Sequence, residues 1–426
     1  MHPKTALTGP PLRSLQALSQ DTPEIIRVND HVYCAAGYAL GNVTFILTQR
    51  SVVVVDTTEG PAPAQAILDD FRKISTLPVS YIVYTHFHGD HVHGAKVLAG
   101  PDTQVIAHRN HHEEMRKYRL LHGYNQKLNE VQWAARVPRA QRAVTLGIDL
   151  LHPPESCYLP PQIAFDEEYR FSEGGVRFEL YHTQGETVDH LMVWLPDFET
   201  LLPGDLFYWS FPMLGSPGKP DRPVLEWAAS LDRMRRLHPA CLVGSHSRPQ
   251  HGRDAIEQML ANYARAIRYV HDETVLRINQ GKPLYQIRRE VRLPPDLAGL
   301  PYLKPAYGTV EWAVNGVYRH YTGWYDFDPA HLRGGDPAPL QRALAEAAGG
   351  SAAILKRARK AALEGDLQLA LELAEVAIGA DRGAEAHGFR VEVLERLAAD
   401  ALNGVERNIY LEAAAEARNS MVTSRG

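Results

Sequence analysis

Residues 79–91 constrain the fold of this chain more than any other stretch, because a buried-strand pattern runs directly into a dense group of metal-binding residue types. The apolar run 79–84 is typical of a short strand inside a sheet. His86 and His88 lie two residues apart, so in an extended chain they point to the same side and can share one cation. We therefore interpret the stretch as a metal-binding motif rather than as a histidine-rich surface turn.

The same motif supplies ligands for a second cation. Gly89 permits a sharp turn, after which Asp90 and His91 are redirected and can bind a neighbouring ion. Imidazole nitrogens and carboxylate oxygens suit zinc, with iron and manganese as alternatives. The motif alone thus predicts two metal ions, with His86, His88, Asp90 and His91 as four of their ligands.

The composition argues against several functional classes. With 426 residues the chain is long enough for two or three domains, and its 45% hydrophobic and 22% charged residues are typical of a globular protein. The net charge of −5 gives no general basic field, so we expect neither nucleic acid nor an anionic membrane as a partner. No apolar run approaches membrane-spanning length.

Cysteine usage and the N-terminal sequence predict a cytoplasmic protein. The first residues lack the apolar core and cleavage site of a secretory signal. Cys34, Cys157 and Cys241 are odd in number and widely spaced, and none belongs to a Cys-x-x-Cys pair. This pattern favours free thiols in a reducing compartment.

The chain divides by composition into an arm, a mixed domain and a helical domain. Residues 1–24 are rich in proline and polar residues, and we expect a loose N-terminal arm. Residues 25–265 alternate short strand patterns with helices, with a charged helical insertion at about 109–150. Residues 266–426 are helical almost throughout, and their regular glycine breaks are typical of tetratricopeptide-like hairpins.

Further metal-type side chains stand beside strand patterns later in the chain. His190 immediately precedes the apolar run 191–195, Asp205 follows a short apolar run, and His246 follows another. Strand ends on one edge of a sheet sandwich converge, so we expect these residues to join the first motif. His251 is a rival to His246, but only His246 directly follows the strand.

One further residue has two open interpretations, and a group of three histidines favours a plain structural role. Asp56 ends a strand of four valines; it either orients a metal-binding histidine or caps a turn. His108, His111 and His112 lack a strand-end context, so we interpret them as a solvated helix face.

These motifs, in this order, resemble the metallo-β-lactamase superfamily. The resemblance covers about residues 25–260 and implies an αββα sandwich with two metal ions along one edge. Carried over residue by residue, it implies that three histidines hold one zinc, that a second group holds the other, and that Asp205 bridges them. The first set is His86, His88 and His190, and the second is Asp90, His91 and His246. Asp90 and Asp205 are therefore also our candidates for catalytic residues.

The second half resembles the alkyl-sulfatase dimerisation domain. The resemblance rests on Tyr307-Gly308-Thr309-Val310 and on the aromatic-rich segment 314–332. It implies a homodimer with interlocking helical domains. The complete prediction is an α+β protein: a metallo-β-lactamase αββα sandwich followed by an all-α dimerisation domain.

The segment after Asp205 departs from this branch and bears on the substrate. Alkyl sulfatases usually carry glutamate where His190 and Asp205 stand, and a polar Asn-Ala-Thr-His run where this chain has 206–209. Here Phe207, Tyr208 and Trp209 either wall a pocket for a hydrophobic tail or pack in the core. Arg248 either pairs with a sulfate or carboxylate or lies on the surface.

The predicted function is hydrolysis of a small-molecule ester with a hydrophobic part. Two zinc ions sharing a water would lower its pKa and supply hydroxide at neutral pH. We favour an alkyl or aryl sulfate ester as substrate; another ester, a lactone, a phosphoester or a β-lactam is the alternative. A mono-iron oxygenase would leave Asp90, His91 and His246 without a role, and a non-catalytic assembly protein would have no use for the full ligand set.

Overall fold

The N-terminal part of the chain folds into two β-sheets. The computed structural model describes residues 22–142, 157–381 and 383–423. The first sheet has seven strands in chain order: β1 (Glu24–Arg27), β2 (Val32–Ala36), β3 (Val43–Leu47), β4 (Val52–Val55), β5 (Val79–Val83), β6 (Gln104–His108) and β7 (Ile163–Phe165). Strands β1 to β4 pair antiparallel, and β4 to β7 pair parallel.

The second sheet has six strands in the spatial order β13-β12-β11-β10-β9-β8. These strands are β8 (Glu168–Glu173), β9 (Val176–His182), β10 (Leu191–Leu195), β11 (Thr200–Leu202), β12 (Cys241–Leu242) and β13 (Gln250–His251). Only β11 and β12 pair parallel, while the other neighbours pair antiparallel.

The four-valine strand β4 explains why the first sheet is covered on both faces. All four side chains are buried, as the uninterrupted apolar run predicts. Val53 and Val55 belong to the core between the two sheets, whereas Val52 and Val54 belong to the core beneath helix α1 (Pro61–Phe71). These two cores hold the layers of the sandwich together.

Two short helices share the core beneath α1 through Val92, Ala95 and Leu98, and two longer helices pack against each other beside the second sheet. Arg233 lies with its guanidinium carbon 4.4 Å from the ring centre of Tyr181 and so ties one of these helices to β9. The helices are α2 (Gly89–Val92), α3 (Ala95–Leu98), α4 (His111–Leu120), α5 (His122–Gln132), α6 (Val224–Arg236), α7 (Arg253–Asn279), α8 (Leu284–Glu290), α9 (Pro295–Ala298) and α10 (Val310–Tyr321).

The described chain forms two compact units. One contains residues 22–125 and 157–322, with both sheets, and the other contains 126–142 and the described part of 323–423. The second unit is helical, with α11 (Pro337–Ala347), α12 (Ser351–Leu363), α13 (Leu367–Ala380), α14 (Ala384–Asp400) and α15 (Gly404–Thr423). Among the described residues, no helix combines the length and the apolar composition needed to cross a bilayer.

The observed layers agree with the sequence patterns that were strongest. The four-valine strand before Asp56 and the predicted strands at 79–84 and 191–195 are present, and a long helix follows residue 252. Strands β6, β7 and β13 carry weaker patterns and were not predicted. Most of the predicted N-terminal arm and the end of the predicted insertion lie outside the described residues.

Candidate metal centre

Metal-type side chains collect where neighbouring strands end. Strands β4 and β5 run parallel, so Asp56 and His86 follow strand ends on the same side of the first sheet. Strands β11 and β12 also run parallel, so Asp205 and His246 follow ends on a common side of the second. Within the described residues, two groups of side chains have potential ligand atoms that lie within 4.8 Å of one another.

The first group contains His86, His88, Glu186 and Asp205. Nε2 of His86 lies 2.9 Å from Nδ1 of His88, which in turn lies 3.5 Å from Oε1 of Glu186. Nε2 of His86 lies 3.8 Å from Oδ2 of Asp205. Two imidazoles and two carboxylates at these separations form a donor set that suits zinc.

The second group contains Asp90, His91 and His246. Oδ2 of Asp90 lies 3.5 Å from Nε2 of His91 and 3.5 Å from Nε2 of His246. Asp205 adjoins this group as well, because its Oδ2 lies 3.0 Å from Nε2 of His246 and 3.5 Å from Nε2 of His91. One carboxylate therefore contacts both groups, as a bridging ligand must.

Asp56 orients the second group. Its carboxylate accepts hydrogen bonds from Nδ1 of His91 at 2.8 Å, the backbone N–H of Thr85 at 2.8 Å and the hydroxyl of Ser245 at 3.2 Å. Its φ of 58° lies in the left-handed region that is costly for a residue with a Cβ. These contacts favour the orienting role over a turn cap, because they leave Nε2 of His91 facing Asp205.

Buried ligand atoms without hydrogen bonds provide a test of whether cations fit this site. Among the described residues, Nε2 of His91 and Oδ1 of Asp205 are buried and have no hydrogen-bond partner. Leaving such atoms unpaired is costly in the absence of a ligand. Nδ1 of His246 bonds the backbone oxygen of Leu40 at 2.8 Å, which leaves Nε2 for the cluster. The residues present therefore fit divalent cations.

The sequence predicts that His190 joins His86 and His88, but the structure places it in neither group. Nδ1 of His190 lies 2.8 Å from Oγ1 of Thr183, and Nε2 accepts a hydrogen bond from the backbone N–H of Asp205 at 3.1 Å. Both ring nitrogens are thus engaged. Glu186, four residues earlier in the same loop, reaches the first group instead.

Burial and charge set the protonation of these ligands in the metal-free protein. Burial, reinforced by His91 and His88, holds the pKa of His86 well below its ordinary value, so its lone pairs are available. Burial opposes protonation of His246, but Asp205 overcomes it and raises the pKa of His246 to about 9. Burial also opposes ionisation of Asp205, yet His246 and His91 hold the pKa of Asp205 well below its ordinary value.

Two cationic side chains stand beside the first group. Arg222 forms an ion pair with Glu186, with only 5% and 3% of the two side chains exposed. Burial raises the pKa of Glu186 to about 7, although Arg222 opposes this shift. Burial, together with Arg222, lowers the pKa of Lys219. Burial, and after it Lys219, hold the pKa of His88 well below its ordinary value.

The predicted substrate residues occupy different environments. Phe207 and Tyr208 are buried, and the ring of Tyr208 lies 6.5 Å from that of His246. Trp209 is half-buried against Tyr302, with ring centroids 5.5 Å apart. Arg248 forms a surface ion pair at 2.8 Å with Glu24. The rival His251 is exposed on β13.

The hypothesis of a solvated helix face is wrong for two of its three histidines. His108 and His111 are buried, whereas His112 is exposed. Nδ1 of His111 lies 3.0 Å from Oδ2 of Asp189, and His108 stacks on His182 with ring centroids 3.9 Å apart. The reason is that His108 ends β6 beside His182 of β9, while His111, at the start of α4, meets Asp189 in the loop between β9 and β10.

Four residues near the site were missed in the sequence: Glu186, Lys219, Arg222 and Tyr307. Glu186 follows a glycine in a turn, which was a usable signal, but nothing local marks Arg222. Tyr307 packs edge-to-face on Tyr208 with ring centroids 5.5 Å apart. Its backbone N–H donates to Oγ of Ser210 at 3.0 Å.

Two family models match the chain. Residues 36–246 match the metallo-beta-lactamase superfamily, and residues 284–420 match the model for alkyl sulfatase dimerisation. A linear primary-alkylsulfatase of Pseudomonas sp. is 31% identical over 382 residues, which cover 86% of this chain and 72% of that protein. An alkyl/aryl-sulfatase of Saccharomyces cerevisiae is 26% identical, and the alignment covers 94% of this chain and 65% of that protein.

A solved structure has the same fold. The stereoselective inverting sec-alkylsulfatase Pisa1 from Pseudomonas sp. superposes with a TM-score of 0.86 at 25% identity, covering 93% of this chain and 66% of that one. The two sheets and the site at their edge thus define a metal-dependent hydrolase of the metallo-beta-lactamase superfamily. Within it, the chain belongs to the alkylsulfatase family.

These comparisons confirm the resemblance and the α+β class. The chain spans 72% of the linear primary-alkylsulfatase and about two thirds of the other two proteins. The tetratricopeptide-like packing of the helical hairpins stays a prediction, as does the placement of the domain boundary at residue 265.

Proposed function

We propose that this protein hydrolyses an organic sulfate ester with a hydrophobic alkyl or aryl part, using two divalent cations. The observation that carries the proposal is the position of Asp205, whose Oδ2 lies within 3.0–3.8 Å of histidine nitrogens from both groups. The proposed ligands are His86, His88 and Glu186 for one cation, Asp90, His91 and His246 for the other, and Asp205 for both.

The charge around the first group supports an anionic substrate. Arg222 and Lys219 are the cationic side chains beside it, and Arg222 is almost fully buried. Lys219 is only half-buried, so it is placed to meet a sulfate at the entrance. Arg222 acts through Glu186, which it orients and neutralises.

Cations held by this donor set supply Lewis-acid chemistry, because they lower the pKa of water and stabilise negative charge. The protein residues provide the remaining requirements. Asp56 and the backbone oxygen of Leu40 orient His91 and His246, while Tyr208 and Phe207 exclude water from one side of the site. The proposed ligand set has four histidines and three carboxylates, one carboxylate more than the resemblance implied.

A hydrolysis panel on the zinc-loaded protein tests the proposal. It compares alkyl sulfates, aryl sulfates, phosphoesters, lactones and a β-lactam, with inorganic sulfate measured directly. Release of sulfate from an alkyl or aryl sulfate is the expected result, and labelled water then identifies whether the C–O or the S–O bond breaks. Hydrolysis of another class without sulfate release would overturn the substrate assignment.

Metal analysis separates this proposal from a mono-iron oxygenase. We propose two zinc ions per chain, with iron or manganese as alternatives. An oxygenase needs only one iron and leaves Asp90, His91 and His246 without a function. One tightly bound iron per chain would favour the oxygenase, and fewer than one tightly bound metal per chain would refute the binuclear site.

We also propose that the protein is a homodimer. Residues 284–420 match the dimerisation model, and the second unit exposes several large apolar side chains. Leu340 and Leu344, one turn apart on α11, are 64% and 47% exposed. A glutamate at either position should shift the mass measured by light scattering from dimer to monomer. The three cysteines, which form no disulfide, support a cytoplasmic location.

A further inference from the structure

An apolar stripe on α4 runs from the interior of the fold to its surface. His111, Met115 and Tyr118 recur at helical spacing; the first two are buried and Tyr118 is half-buried. Leu121 is the next position on this stripe and is 54% exposed. The helical path continues through it, since the backbone N–H of Asn125 donates to the oxygen of Leu121 at 2.8 Å. The stripe therefore continues from the buried core onto the exposed surface at Leu121.

Phe87 joins this stripe to the metal centre. It stands between His86 and His88 in the chain, and its ring centroid lies 4.8 Å from that of His88. On the other side it lies 6.1 Å from the ring centroid of Tyr118. Phe87 and His88 are both only half-buried, so this side of the site is open to solvent.

Tyr124 fixes the other end of the stripe beside the cationic side chains. It lies three residues beyond Leu121, and its ring is 54% exposed. Its hydroxyl donates to the backbone oxygen of Gly218 at 2.6 Å. Gly218 directly precedes Lys219, so this end of the stripe is held beside the segment that we propose meets the sulfate.

We propose that Phe87, Tyr118, Leu121 and Tyr124 form the surface on which the hydrophobic tail of the substrate lies. The inference rests on the proposed function and assigns the recognition of chain length to the helical segment α4–α5. A tail extending from the metal centre meets Phe87 first and then the exposed part of the stripe. Each methylene buried there is worth about a fourfold gain in kcat/KM.

Leu121→Ser tests this surface, with Leu120→Ser as the matched control. Leu120 is 73% exposed on the same helix but lies two residues from Tyr118, off the stripe. The readout is kcat/KM for primary alkyl sulfates from butyl to dodecyl. We expect Leu121→Ser to lose about tenfold on dodecyl sulfate and nothing on butyl sulfate, while Leu120→Ser matches the wild type. An equal loss on both substrates, or an unchanged dependence on chain length, would overturn the surface.

Binding of alkanesulfonates separates this inference from the proposed function, because sulfonates are not hydrolysed. Calorimetry on the zinc-loaded protein should give tighter binding with increasing chain length and a weaker dependence in Leu121→Ser. That pattern without sulfatase activity would support the surface and refute the function. Sulfatase activity with sulfonate binding that ignores both chain length and the substitution would refute the surface alone.

Discussion

Arg222 and Glu186 form an ion pair that is buried on both sides. The guanidinium carbon of Arg222 also lies 5.7 Å from the ring centre of Trp227, which holds it in place. The pair connects the metal centre to the segment that follows it, because Glu186 belongs to the first ligand group. Its integrity therefore bears on metal binding.

Replacing Arg222 by Met should weaken metal binding at the first group. The change leaves Glu186 buried without its counterion, at a cost of about 3 kcal/mol. A carboxylate whose pKa already lies at about 7 would then be protonated at neutral pH and compete poorly for a cation. We expect about a hundredfold loss of affinity for one of two metals, measured by competition with a chelator.

Arg248→Met is the control for this substitution. Arg248 is paired with Glu24 on the surface, where a salt bridge contributes little. We expect unchanged metal affinity and kcat/KM. A large rise in KM for this variant would instead support the sequence-based hypothesis that Arg248 binds the substrate anion.

Substitutions of Glu186 and His190 should affect the metal content differently. Glu186→Gln removes a charged oxygen from the first group and should reduce metal content from two ions towards one after dialysis. His190→Gln should retain both metals, because the ring of His190 bonds Thr183 and the backbone of Asp205. Metal loss in His190→Gln as large as that in Glu186→Gln would restore the sequence-based ligand set.

Gly41 has no room for a side chain against the second group. A Cβ at this position would lie 2.2 Å from the backbone oxygen of Asp90. Gly41→Ala should therefore displace Asp90 and weaken the second metal by at least tenfold. Gly388→Ala, within α14, meets nothing within 4 Å and should instead stabilise the fold by about 0.5–1 kcal/mol. Equal metal affinity in both variants would contradict the close approach.

Asp205 should be required for both metals at once. Asp205→Ala removes the carboxylate that contacts His86, His91 and His246, so both ions lose a ligand. We expect loss of activity and a lower metal content, measured on the same preparation. Asp197→Asn, which affects only an exposed pair with Arg177, should change neither. A fully active Asp205→Ala protein would refute the bridging role.

The sequence predicted those parts of the site that depend on local order. His86, His88, Asp90 and His91 all follow within eight residues of the end of β5, so a strand pattern and its spacing suffice to place them. The same holds for Asp205 and His246, which follow β11 and β12 within four residues. The layered fold was predictable for a related reason, because strands such as β4 carry uninterrupted apolar runs.

The loop between β9 and β10 was not predictable in this way. Its path depends on distant neighbours: a Cβ at Gly185 would lie 2.5 Å from Leu206 and 2.7 Å from Trp227. That contact turns Glu186, not His190, towards His88. The buried partner of Glu186 lies 36 residues further on, in a segment without regular structure. Only the assembled fold reveals such a pair.

Metal binding should release protons and strengthen with pH. The carboxylates around His246 raise its pKa to about 9 against burial, so at neutral pH the metal-free protein holds a proton there. A cation must displace that proton, and below pH 9 the affinity should rise by about tenfold per pH unit for each proton displaced.

Zinc titrations by calorimetry in two buffers with different ionisation enthalpies measure the protons released. We expect the release of at least one proton per chain near pH 7. His91 contributes as well as His246, because burial opposes its protonation but Asp205 and Asp90 raise its pKa well above its ordinary value. His246→Gln should release fewer protons, whereas His112→Gln, on an exposed position of α4, should match the wild type. Equal heats in both buffers would show that metal binding releases no proton. His246 would then be neutral in the metal-free protein already, and Asp205 would not keep it protonated.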